Sequence, residues 1–324
     1  MRAAVTTAYG PPEVVRVEEV AEPEVGPGDL LVRVYYGTVN RTDCAYRAAY
    51  PWFIRAFSGW TRPKVDVWGT EYAGVVERVG PQVTAFAPGD RVLGYAEGRF
   101  GAHAELVAVA QDSMVAHVPD GVDLATAAAT TEGGHYALSF LRHSGLMPGD
   151  RALVHGATGA IGSAAVQLAA DHGVHVTATA PTAHLDLARR LGAEEVVDWE
   201  QGGLDRLDGT FDAVLDTVGR STFGACRRLL GPGGVYLSSE LGPFWQNPVL
   251  ALVTPLGGRR KVVFPIPLEG DDVMVHLVAR LGRGAFTPVI DRTFTLDDIV
   301  EAYRYAESGR KVGNVLLDVT GSGA

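Results

Sequence analysis

The 324 residues are enough for two domains, and 47% hydrophobic with 20% charged residues is the balance of an ordinary globular chain. A net charge of −10, with Arg259-Arg260-Lys261 as the longest basic run, argues against a phosphate-backbone partner, so no nucleic acid is expected. The two cysteines, Cys44 and Cys226, exclude a disulfide framework and a four-cysteine zinc site and read as small buried apolar side chains.

The first residues, MRAAVTTAYGPPEVV, lack the charged-then-apolar pattern of a leader. No apolar run approaches the ~18–20 residues a membrane span needs. The expectation is a cytoplasmic protein with no membrane partner.

Residues 1 to about 120 carry short alternating stretches: LLVRVYYG (30–37), YAGVVERVG (72–80), DRVLGYA (90–96) and AELVAVA (104–110). Turn signals such as Gly26-Pro27-Gly28-Asp29 separate them, which predicts an antiparallel, barrel-like β domain. Within it, GTEYAGVVERVG (69–80) reads as a strand, a tight glycine and a second strand. Thr70 and Glu71 stand there at a place that could hold a metal ligand, although threonine is a poor one.

The character changes near Asp123. A helical run with two glycines, LATAAATTEGGHYALSFL, leads to strand RALVH (151–155) and helix AIGSAAVQLAADH (160–172). Strand VHVTATA, helix AHLDLARRLG, strands EEVVD and FDAVLDTV, helix STFGACRRLL and strand GVYLSS follow. Strands alternating with helices predict an α/β, doubly wound parallel sheet. Beyond about residue 270 come helix DDVMVHLVARLGRG, an extended stretch, helix LDDIVEAYRYAESG and a last strand, NVLLDV.

The most informative stretch is VHGATGAIGSAAVQLA (154–169), where Gly156, Gly159 and Gly162 stand between a strand and a helix. Glycines in that setting let the backbone turn sharply, approach a pyrophosphate and bring the helix close to the strand, while the helix N-terminus aims amides at the phosphate. Thr158, Ala160 and Ile161 belong to the same turn. An NAD site usually places an acid about 20 residues on, on the ribose 2′-hydroxyl. Strand 174–180 ends instead in Thr179-Ala180-Pro181-Thr182, which favours NADPH over NADH, with Thr182, His184 and Arg189 as candidate partners of a 2′-phosphate.

These pieces, with VNRTDC (39–44), GTEYAGVVERVG, APGDRVLGY (87–95), RRLGAEEVVDW (189–199), FDAVLDTVG (211–219) and PVIDRTFTLDDIVEAYRYAESGRKVGNVLLDV (288–319), resemble the medium-chain dehydrogenase/reductase superfamily, and within it the zinc-free quinone oxidoreductase and enoyl reductase branch. The resemblance implies a GroES-like, β-rich catalytic domain at 1–122, a Rossmann domain at 123–268 and a C-terminal segment, 269–324, that returns to the catalytic domain. It also implies a homodimer, formed through the strand-like stretch near 250–265. Zinc-dependent members carry a cysteine where this chain has Asn40 and a histidine where it has Thr70, so no zinc is expected.

The resemblance places Asn40 beside nicotinamide and substrate, and Tyr50, in AAYPWF, at a Tyr-Pro donor position. Tyr46 is the second candidate, because Tyr50 is one residue nearer to Asn40 than in the common pattern. Tyr136 falls where relatives have a threonine near the nicotinamide. Ala180, Trp199, Val218, Ser238, Phe264 and Asn314 match further cofactor positions. TTEGGHYAL (130–138) supplies Glu132, His135 and Tyr136, either for acid–base work or as helix cap and packing. The aromatics of YPWFIRAFSGW (50–60) suit a substrate mouth or a hydrophobic interface.

The expected activity is zinc-independent, NADPH-dependent hydride transfer to an enone or quinone, including aromatic or polyketide-like intermediates. The alternatives are a zinc-free alcohol or ketone oxidoreductase and a nucleotide-binding protein with little catalysis.

Overall fold

The computed structural model describes all residues except 97, 258, 266–270 and 322–324. The chain forms two compact units: Met1–Glu132 with Gly270–Gly282 and Val289–Ala324, and Gly133–Glu269 with Arg283–Pro288.

The first unit is built on a seven-stranded sheet. Its order runs Ile290–Thr295, Asn314–Asp318, Asp29–Thr38, Glu71–Val79, Arg91–Tyr95, Met114–His117, with Leu106–Ala110 also paired to Asp29–Thr38. All pairings are antiparallel except that of the two C-terminal strands. The core follows the alternation of the sequence: Leu30, Val32 and Val34 face Tyr72, Val76, Val92 and Val107. Helix Ile299–Glu307 closes it with Ile299, Ala302, Tyr303 and Ala306, one helical stripe.

Residues 71–79 form one continuous strand, not two strands about a glycine turn. Gly74 serves close approach instead: an added Cβ would stand 1.9 Å from the Arg33 carbonyl oxygen, where the pairing with Asp29–Thr38 shifts register.

The second unit is a six-stranded, wholly parallel sheet. Its order is Glu195–Asp198, His175–Ala180, Arg151–His155, Phe211–Asp216, Leu230–Ser238, Lys261–Val263. Helix Ala160–Asp171 buries Ala164, Ala165, Leu168 and Ala169. The small residues suit a helix lying close to its sheet.

Two details differ from the sequence expectation. Leu124–Ala128 packs on strands Asp29–Thr38 and Glu71–Val79, so the first division falls at Glu132/Gly133, inside helix Thr131–Ser144, rather than at 122. The expected boundary at 268/269 lies outside the described residues. The stretch 250–265 is mostly not a strand: Gln246–Val253 is helical, Thr254–Leu256 is a 3-10 turn, and only Lys261–Val263 joins the sheet. There Thr254 Oγ1 accepts the Val262 N–H at 2.9 Å, which ties the 3-10 turn to the strand.

Gly74→Val is expected to destabilise the first unit by about 3 kcal/mol or more, because backbone atoms must move. Urea denaturation checks this; an unchanged midpoint would contradict it.

Candidate active site

In the second unit, strand Arg151–His155 ends at the glycine turn. Gly156 has φ +88°, and Gly159 is the N-cap of helix Ala160–Asp171, with no side-chain cap hydrogen bond. At Gly162 a Cβ would stand 2.1 Å from the Gly156 carbonyl oxygen, so only glycine lets the helix start this close to the turn. Thr179 Oγ1 accepts the Gly156 N–H at 3.1 Å and bonds His155 Nδ1 at 2.8 Å. Burial lowers the pKa of His155, which favours the neutral imidazole. The first-turn amides of the helix carry the positive end of its dipole, which suits an anion. Thr158 lies in the turn, and Ala160 and Ile161 are the first two residues of the helix.

A neighbouring loop is fixed by one buried acid. Asp216 Oδ1 accepts from the Val218 and Gly219 N–H groups (3.2 and 2.8 Å). Its Oδ2 accepts from Ser221 N–H and Oγ–H and from the Tyr236 hydroxyl (3.0, 2.8 and 3.0 Å). Val218 is thereby set against the turn: a Cβ on Gly156 would meet its Cγ1 at 2.5 Å. Ser238 is buried at the end of its strand, and Phe264 is half-buried just past Lys261–Val263.

At the end of strand His175–Ala180 lies a more polar rim. Thr182 Oγ–H donates to Asp198 Oδ2 at 2.5 Å, and Thr182 N–H donates to Glu200 Oε2 at 3.0 Å. Trp199 stands between the two acids in sequence and is 45% exposed. His184 is half-buried in a 3-10 turn, and Arg189 is held by Asp186 at 2.6 Å. Tyr136 is half-buried on helix Thr131–Ser144, its ring 4.6 Å from that of the buried His135.

The first unit holds a separate buried polar cluster. Asn40 caps helix Arg41–Ala48 in a capping box: its Oδ1 accepts the Asp43 N–H at 2.9 Å, and Asp43 Oδ2 accepts the Asn40 N–H at 3.0 Å. Asn40 Nδ2 donates to Thr70 Oγ1 at 2.8 Å, and the Asn40 side chain also supports Glu71. Glu71 accepts from Thr38 Oγ1 at 2.5 Å and from the Glu132 N–H at 2.6 Å, in the first turn of helix Thr131–Ser144. Glu132 in turn accepts from Thr42 Oγ1 at 2.7 Å.

Three carboxyls so close together and so deeply buried resist ionisation. Desolvation pushes Asp43 up to about 8 and raises Glu71. It raises Glu132 well above the carboxylate range, with the charges of Glu71 and Asp43 adding to it. Burial lowers Lys311, whose Nζ donates to the Gly313 carbonyl at 2.8 Å. His103, pushed down to about 4 by burial, is neutral; its Nε2 donates to the Thr38 carbonyl at 2.8 Å and lies 3.7 Å from Asp43 Oδ2.

The other candidates in this unit are dispersed. Tyr46 packs with Trp68 and Phe100 (ring centroids 5.6 and 4.7 Å). Tyr50 is 75% exposed and precedes a cis proline, after which Trp52–Ile54 and Arg55–Ser58 form short helical turns. Asn314 is buried, its Nδ2 donating to the Val289 carbonyl at 3.0 Å. Gly156 to Gly162, Ala180, Thr182, His184, Trp199, Val218, Ser238, Phe264 and Tyr136 all belong to the second unit. Asn40, Tyr46, Tyr50 and Asn314 belong to the first.

Residues 26–120 match the alcohol dehydrogenase GroES-like domain, and residues 191–317 match the zinc-binding dehydrogenase domain. The chain is 31% identical to the 2-methylene-furan-3-one reductase of Solanum lycopersicum, over 98% of this chain and 79% of that protein. It is also 31% identical to a quinone oxidoreductase of Pseudomonas aeruginosa, over 96% of this chain and 97% of that one. The chain belongs to the medium-chain dehydrogenase/reductase superfamily. A solved member of the same fold, mycobacterial Rv1454c complexed with NADPH, matches with a TM-score of 0.81 at 27% identity, over 98% of this chain and 100% of that one.

Membership in the superfamily makes the chain an oxidoreductase of the nicotinamide-dependent kind, and the glycine turn presents first-turn helix amides of the sort that suit a phosphate. Among the described residues no helix is long and apolar enough to cross a membrane. Asp216 is the residue that motif reading misses; its only signal is an acid at the end of an apolar strand, followed by Thr217-Val218-Gly219. Asp216→Ala leaves several buried donors without an acceptor and is expected to weaken dinucleotide binding at least about tenfold. Fluorescence titration measures this, with Asp216→Asn retaining part of the affinity.

The buried carboxyls give a signed pH effect. A group whose pKa is raised on folding adds stability in full below its unfolded pKa, and loses it as pH climbs through the folded value. For Asp43 that window runs from 3.8 to about 8. Glu132→Gln is neutral at every pH. It is expected to gain about 1–3 kcal/mol over the wild type between pH 5 and pH 8. Denaturation at the two pH values reads this, and parallel pH profiles for the two proteins would contradict it.

Proposed function

We propose that the chain is a zinc-independent reductase that uses a nicotinamide dinucleotide to reduce a conjugated carbonyl compound, an enone or a quinone. The observation that carries the reading is the Asn40 Nδ2–Thr70 Oγ1 hydrogen bond. A catalytic zinc needs about three converging nitrogen, sulfur or oxygen ligands. Here an amide and a hydroxyl occupy two of the positions that zinc-dependent members use, and they are bonded to each other. The adjacent carboxylate, Glu71, is committed to Thr38 and to the Glu132 amide. This donor set does not fit zinc.

Without a Lewis acid, an isolated ketone is a difficult hydride acceptor. A conjugated acceptor spreads the incoming charge onto an enolate oxygen, which ordinary hydrogen-bond donors can hold. The dinucleotide, when bound, supplies the hydride. The chain's own part is to bind the pyrophosphate on the amides after Gly156, set Val218 beside the turn through Asp216, and provide a proton and a donor. Tyr136 is the residue we assign to that last task. It is half-buried, shares a unit with the dinucleotide turn, and holds the position that the family places near the cofactor. Asn40, with both side-chain ends committed, acts by holding its surroundings in place. The names of the tomato and Pseudomonas relatives support the enone and quinone acceptors.

The test is oxidation of reduced dinucleotide by a panel of quinones and enones, beside oxidation of simple alcohols in reverse. Turnover with conjugated acceptors is expected. Activity confined to simple alcohols would overturn the substrate class, and binding without turnover would point to a protein with little catalysis. Tyr136→Phe should lower kcat by about 10- to 100-fold while leaving the dinucleotide Kd within about twofold.

A further inference from the structure

We infer that the adenosine-ribose rim of this chain selects the unphosphorylated dinucleotide, NADH, and that Asp198 and Glu200 are the residues that discriminate against a 2′-phosphate. The inference rests on the nicotinamide-dependent reading above and deepens it.

The rim belongs to the same unit as the glycine turn and lies one strand along from it. Strand His175–Ala180 itself ends without an acid. Its parallel neighbour, Glu195–Asp198, is in register, with Asp198 paired to Ala180. This brings Asp198 and Glu200 onto Thr182, at 2.5 and 3.0 Å. The Glu200 N–H also donates to Asp198 Oδ1 at 2.9 Å, which ties the two acids into one 3-10 turn with Trp199 between them.

Both polar groups that Thr182 could turn toward a phosphate, its N–H and its hydroxyl, donate to these carboxylates instead. Arg189, the basic residue nearest in sequence, is taken by Asp186. Among the described residues, no cation pairs with Asp198 or Glu200. A 2′-phosphate adds about two negative charges and would meet two carboxylates that no ion pair among the described residues neutralises. A ribose diol brings two hydroxyl donors, which carboxylates accept well. His184 in the adjoining turn, and Asp186 and Arg189 on the helix after it, are further titratable groups beyond the end of the strand.

The absence of an acid on strand 174–180 favours NADPH; the acids delivered by the next strand reverse that expectation. Rv1454c binds NADPH, so the proposal separates this chain from that neighbour.

Titration of the full chain with NADH and with NADPH, followed by protein fluorescence and calorimetry, decides it. NADH is expected to bind about tenfold or more tightly than NADPH, the ratio shrinking at high salt. Glu200→Gln and Asp198→Asn should each narrow the ratio several-fold, mainly by improving NADPH. Glu200→Lys should narrow it further or invert it. Tighter NADPH binding by the wild type, or ratios unmoved by these substitutions, would overturn the inference and leave the reductase reading standing. Failure of both dinucleotides to bind would overturn the reading itself.

Discussion

At Gly162 a side chain would stand 2.1 Å from the carbonyl oxygen of Gly156, and the nucleotide unit is arranged around that close approach. Because the helix starts against the turn, its free amides lie at the end of the central strand rather than over its face. The turn is then held from two sides. Thr179 anchors it from the neighbouring strand. Thr217 donates to the His155 carbonyl at 2.9 Å, in a loop that Asp216 locks with five accepted hydrogen bonds. A buried carboxylate with that many donors is well compensated, so the loop gains rigidity without leaving a bare charge.

The first unit solves a different problem. It buries Asp43, Glu71 and Glu132 together, and burial on this scale favours their neutral forms. Threonine hydroxyls, backbone amides and the Asn40 side chain supply the donors. That network explains why Asn40 and Thr70 suit each other: one gives a proton, the other accepts it, and neither offers a metal a strong ligand. The cluster is a structural device, through the capping box and the helix start at Glu132.

Much of this was legible in the sequence, and the reason is locality. Strand, three glycines and helix fall within about twenty residues, so the dinucleotide turn declares itself through its own spacing. The parallel sheet shows in the alternation of apolar runs with helical ones. What escapes is whatever one strand does for another. Asp198 and Glu200 reach Thr182 only through the register of neighbouring strands. Glu71 meets Glu132 across 61 positions of sequence. Gly74 looks like a turn from its own neighbours and becomes a close-packed strand residue only once Arg33 is placed against it. The mixed apolar run after Trp245 carries no period strong enough to separate helix from strand.

The central claim, hydride transfer without a metal, is tested most directly by single-turnover kinetics. Protein stripped of metal, with its zinc content measured, would be loaded with reduced dinucleotide and mixed with an enone, and the absorbance of the dinucleotide followed. The account predicts the same rate before stripping, after stripping and after zinc is added back. A rate that collapses on stripping and returns in proportion to added zinc would contradict it.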